Sequence, residues 1–197
     1  MNAPAIPTAI PSPPEPSTAL LARAAVDAGA VTTYYARLGS GEPILVLGIE
    51  GAGDSLGYFL LAPLASHFRV IAPEPLVECG RVTLALPGSP GAPAFSTWLR
   101  DFLDGLGVEQ VGIVAEGKLA IPSLCFALSE PGRVRRLVLL YPDAPEPTPC
   151  ESVIGEVLHP SGTPLLVLRV DRGAGDPASP LAPQLCEAVI DFLSGEA

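Results

Sequence analysis

The sequence predicts an α/β fold, a mainly parallel sheet with helices on both faces. Short continuous apolar runs such as Pro43-Ile-Leu-Val-Leu47 and Val111-Gly-Ile-Val-Ala115, bounded by turn residues, have the pattern of strands buried on both sides. Helix-length amphipathic segments separate these runs, and such alternation means parallel strands joined by crossover helices. At 197 residues the chain holds one well-packed domain.

Residues 1–17 carry prolines at 4, 7, 11, 13, 14 and 16 and so lack backbone donors at too many positions for helix or sheet. They are expected to form a flexible Pro-rich arm ahead of a single domain over 18–197. The segment 20–42 reads either as an Ala-rich helix followed by a strand or as a hairpin turning at Asp27-Ala-Gly29. Its second half, Val31-Thr-Thr-Tyr-Tyr35, is β-branched and aromatic and is a strand either way. Pro43–Leu47 follows as a buried strand. Tyr58–His67 is then helical, Arg69–Ala72 a strand, Ser96–Leu106 a helix, Gln110–Ala115 a strand, Leu119–Ser129 a helix and Val134–Tyr141 a strand. Ser96 is the expected N-cap of its helix, with Gly105 and Gly107 at the exit. Strand Pro164–Val170 and helix Leu181–Leu193 complete the chain, and Pro- and Gly-rich stretches at 86–93 and 141–149 are connections.

Eleven basic against twenty-one acidic residues give a net charge of −10, which repels nucleic acid and anionic membrane surfaces. The longest apolar runs fall far short of the roughly 18 residues of a membrane-spanning helix. No secretory leader is visible, so a soluble, cytoplasmic protein is expected. Hydrophobic residues make up 48% and charged residues 16%, against about 25% charged in an average chain, so some apolar surface is expected to be buried against a partner. Cys79, Cys125, Cys150 and Cys186 show neither metal-ligand nor disulfide-framework spacing and read as isolated buried thiols. No cofactor and no metal are expected.

Taken together, "LGSGEPILVLGIEGAGDS", "PLASHFRVIAPEP", "FSTWLRDFLDGLGVEQVGIVAEG", "PGRVRRLVLLYPD" and "GTPLLVLRVDRGAGDP" resemble the α/β-hydrolase family in order and spacing, over roughly residues 32 to 194. The resemblance implies a G-x-S-x-G elbow after strand Val111–Ala115, a sharp turn that lifts a serine hydroxyl above the sheet. Here the five positions read Ala115-Glu116-Gly117-Lys118-Leu119, with glycine at the nucleophile and Leu119 where the family has a small residue.

The family's catalytic histidine follows a last strand, and this chain passes almost directly from Asp176-Pro177 to its terminal helix. The last family strand is thus expected to be missing and the lid, between Asp143 and Thr163, reduced. Neither histidine, His67 or His159, follows a strand. Asp176 stands at the family's acid position, with Asp171 a shifted alternative. The oxyanion-loop position falls at Gly48, Ile49 and Glu50, and amides there and at Lys118 are the expected binding groups, beside Gly117. Glu50 and Glu116 bring negative charge to that rim, which opposes an oxyanion.

Three functional expectations follow. The first is a non-catalytic, pseudoenzyme-like domain that binds a protein partner or a small apolar ligand, since nucleophile and base act as a unit. The alternative is an enzyme with relocated acid/base chemistry of lyase, isomerase or cyclase type, using Glu50, Glu74, Glu116, Asp143 and Asp176, which all follow strands. The third, compatible with the first, is association along Pro164–Val170, which becomes an apolar edge strand in a homodimer or with another protein if no further strand covers it.

Overall fold

The computed structural model describes residues 22–29, 31–48, 56–74, 95–142, 162–170 and 182–195. The Pro-rich arm lies outside them. The elements are strands β1 (Ala22–Ala28), β2 (Val31–Leu38) and β3 (Pro43–Leu47), helix α1 (Leu56–Ala65), β4 (Arg69–Pro73), α2 (Phe95–Gly105), β5 (Val111–Glu116), α3 (Ala120–Ser129), β6 (Val134–Pro142), β7 (Leu165–Val170) and α4 (Ala182–Ser194). They build one seven-stranded sheet in the order β1-β2-β4-β3-β5-β6-β7. β1–β2 and β2–β4 pair antiparallel and every other neighbour pairs parallel. All the parallel strands therefore end on the same side, which is where ligand sites of open α/β sheets form.

Of the two readings of this segment the structure shows the strand pair, with Ala22 opposite Arg37 and Ala28 opposite Val31. Alanine favours helix in isolation, but here the strongly strand-forming β2 supplies a partner. Val26 and Ala28 face α2 as alternate residues of a strand.

Helices cover both faces, and each face has its own core. On one side α2 and α3 pack Trp98, Phe102, Leu103, Leu124 and Phe126 against Leu45, Ile113 and Leu139. On the other, α1 and α4 pack Leu60, Leu64, Val189 and Leu193 against Ile44, Val46, Val114 and Val138. Alternate residues of β3, β5 and β6 thus serve opposite cores, which explains their unbroken apolar runs. Ion pairs Arg100–Glu130 and Arg133–Asp104 (2.8 Å) tie α2 to the turn after α3 from outside, and exposed pairs of this kind contribute about 0–1 kcal/mol each.

Two sequence expectations change. Ser96 lies inside the first turn of α2 and not at its cap, because the helix already begins at Phe95. The expectation of buried thiols fails at Cys125, which is exposed on α3. Cys186 on α4 is half-buried against the second core, and burial raises its thiol pKa above the ordinary value. Cys79 and Cys150 lie outside the described residues.

Ser123 is fully buried on the sheet-facing side of α3, and its hydroxyl finds no hydrogen-bond partner among the described residues. An unpaired buried hydroxyl costs about 1–3 kcal/mol. Ser123→Ala is therefore expected to stabilise the fold by about 1 kcal/mol or more, read as a higher urea midpoint at unchanged slope. A lower midpoint would show that the hydroxyl has a partner.

Candidate functional site

The site is built where β3 and β5 end side by side. Their register places Leu47 opposite Ala115, so the chain leaves β3 at Gly48 directly beside Glu116. Gly48 has φ +94°, and a Cβ built there would lie 2.5 Å from the Glu116 carbonyl oxygen. Only glycine allows both that torsion and that approach.

After Glu116, in extended conformation (φ −110°, ψ 141°), the backbone turns sharply at Gly117 with φ +58°. A single 3-10 turn, Gly117–Leu119, then leads into α3. Pro122 is tolerated in the first turn of α3, where no intrahelical donor is needed. Among the described residues nothing lies within 4 Å of a Cβ built on Gly117. The backbone thus turns sharply at Gly117, which has no side chain, and no described residue crowds the place a side chain would take. Leu119, large where the family is small, is accommodated because it precedes α3 and packs half-buried against the first core. Lys118 is exposed on the 3-10 turn.

Of the proposed carboxylates, the described ones have structural positions. Glu116 Oε2 accepts a hydrogen bond from the Gly57 backbone N–H (2.9 Å) in the first turn of α1. That N–H is one of the donors a helix leaves without an internal partner, and no acidic residue stands in the first turn of α1 itself. Glu116, expected both as negative charge at the rim and as a candidate acid or base, thus has its carboxylate engaged at the start of α1. Glu74 forms an ion pair with Arg23, across β2, and its own N–H donates to the Tyr34 carbonyl (2.8 Å). Ile49, Glu50, Asp143, Asp171, Asp176 and His159 lie outside the described residues. His67 sits in the turn before β4, at the amino end of the parallel strands, away from the elbow. No group of three or more His, Cys, Asp or Glu side chains that would hold a metal occurs among the described residues, and no described helix is long and apolar enough to cross a membrane.

Sequence reasoning missed the partner of Glu116. The two residues are separated by 59 positions, and only the sheet order brings them together. The one legible signal was a glycine following β3 in the quoted hydrolase-like stretch.

An open, mostly parallel sheet with a sharp β5–α3 turn at its carboxyl edge defines the class of protein. No family model matches this chain. A 2-hydroxy-6-oxo-2,4-heptadienoate hydrolase of Pseudomonas putida is 30% identical over 118 residues, covering 57% of this chain and 42% of the relative. A CIB-like hydrolase from Thermoplasma acidophilum superimposes with a TM-score of 0.60 at 13% identity, over 88% of this chain and 97% of that one. A naproxen esterase from Bacillus subtilis gives a TM-score of 0.49 at 22% identity, over 62% of this chain and 44% of the esterase. The chain has the α/β-hydrolase fold, and it spans less than half the length of the Pseudomonas putida relative.

Proposed function

We propose that this chain is an α/β-hydrolase-fold enzyme that acts on a small carbonyl compound by proton transfer, without a covalent intermediate at residue 117. The observation that supports the reading is the sharp turn at the elbow position: Gly117 holds φ +58° with no described residue within 4 Å of a Cβ built there, in a chain that is 30% identical to a hydrolase over 118 residues. Glycine has no hydroxyl with which to form an ester. The backbone amide at Lys118, after the elbow, is the group proposed to polarise a carbonyl oxygen. A conjugated hydroxy-oxo-dienoate, the compound class in the relative's name, changes its chromophore when one proton moves between oxygen and carbon. Such a shift needs only an acid, a base and charge stabilisation. Glu50, Asp143 and Asp176, which follow strands in sequence, are the proposed proton-transferring carboxylates, because Glu74 and Glu116 are held by Arg23 and Gly57.

A second reading, a non-catalytic domain that binds a partner or small apolar ligand, is favoured by the same two engaged carboxylates together with the missing side chain at 117. The test is to incubate pure protein with 2-hydroxy-6-oxo-2,4-heptadienoate and follow its absorbance and the protein's intact mass. The proposal expects saturable loss of the chromophore with no mass increase. Saturable binding without chromophore loss would support the second reading. An acyl adduct on the polypeptide would overturn both.

A further inference from the structure

We infer that Glu116 is a positioning residue that clamps both ends of the β3–α1 connection against the elbow. The side chain and the backbone of this one residue act in different directions. Its carboxylate accepts the Gly57 N–H at the start of α1 (2.9 Å), and its carbonyl and Cβ lie where only a glycine at the end of β3 fits, a Cβ on Gly48 falling 2.5 Å and 3.2 Å from them. Gly48 and Gly57 flank the connection, and Gly117, the apex of the elbow, is the next residue after the clamp.

The residue that leads into Gly117, and into the space above it, is therefore also the one that holds the start of α1 to β5. Gly57 is buried, so water competes poorly for its N–H. A charged acceptor makes a stronger bond than a neutral one and is further favoured by the positive end of the helix. Glu116, the residue next to the apex, supplies an acceptor for the first turn of α1.

The inference rests on the reading that this space receives a ligand, but its first test does not. Backbone amide exchange of Gly57, followed by NMR in the whole chain, is expected to accelerate roughly tenfold or more in Glu116→Ala, the scale of a lost charge-assisted hydrogen bond, and to stay near wild type in Glu116→Gln, which keeps an acceptor oxygen. The second test is turnover of 2-hydroxy-6-oxo-2,4-heptadienoate. Glu116→Ala is expected to raise KM roughly tenfold with a smaller change in kcat, and Glu116→Gln to restore most of the loss, because the residue acts through Gly57 and moves no proton.

Unchanged Gly57 exchange in Glu116→Ala overturns the inference. So does a Glu116→Gln enzyme with normal Gly57 exchange and no kcat, since that would make the carboxylate an acid or base. If Glu116→Ala does not fold, Glu116→Asp, one methylene short, is read in the same way. If wild type leaves the dienoate unchanged, the proposed function fails, and Gly57 exchange still decides the clamp.

Discussion

Trp98→Ala is expected to lower the stability of the fold by about 3–5 kcal/mol, the cost of emptying a large buried aromatic site. Trp98 is 2% exposed, stacked on Phe102 with ring centroids 5.5 Å apart and tilted on Phe95 at 5.6 Å. Its indole N–H donates to the Thr33 hydroxyl at 3.0 Å, in a fully buried bond that joins α2 to β2. Alanine would leave a cavity between three elements and strand the Thr33 oxygen, which is 1% exposed. Total stabilities of about 5–15 kcal/mol are usual for a domain, so this one change removes much of the margin. Trp98→Phe retains most of the packing and is expected to cost about 1–2 kcal/mol, chiefly the hydrogen bond. Because Trp98 is the single tryptophan of the chain, the comparison is made by urea denaturation followed by far-UV circular dichroism. A loss below 1 kcal/mol for Trp98→Ala would mean that α2 is not anchored as described.

The second large effect is expected at Gly48. Alanine there must adopt a φ near +94°, beyond the left-handed region that side chains tolerate, and its methyl group would sit 2.5 Å from the Glu116 carbonyl oxygen. The Cβ is fixed by the backbone at 48 and the oxygen it meets is backbone, so neither yields by a rotamer change. Gly48→Ala is expected to cost on the order of 3 kcal/mol, the upper end for a strained backbone position. Gly132→Ala is the control, since a Cβ there meets nothing within 4 Å and the torsion is ordinary, and a change within about 0.5 kcal/mol is expected. Equal denaturation midpoints for the two variants would refute the close approach of β3 to the elbow.

Much of the architecture was legible because burial on both faces leaves a distinctive imprint. Pro43–Leu47 and Val111–Ala115 alternate between two cores, and no other common arrangement asks for an unbroken apolar run of that length. β1 was ambiguous because its alanines carry a helical preference that only pairing with β2 overrides. The start of α2 was displaced by one residue, within the usual fraying of helix ends. At the site, a glycine at position 117 was plain from the sequence, yet its left-handed torsion was not. The engagement of Glu116 by Gly57 and of Glu74 by Arg23 was beyond reach, since both pairings are made by chain segments distant in sequence and adjacent only through the order of the strands.

The glycine at the apex of the elbow has an energetic consequence of its own. A side chain forced into a left-handed torsion stores strain of about 1–3 kcal/mol at a functional turn, and proteins commonly sacrifice resilience to keep such a residue in place. With φ +58° occupied by glycine, that tension is absent at Gly117. The turn is at rest, and the fold keeps as thermal endurance what a loaded nucleophile would have consumed.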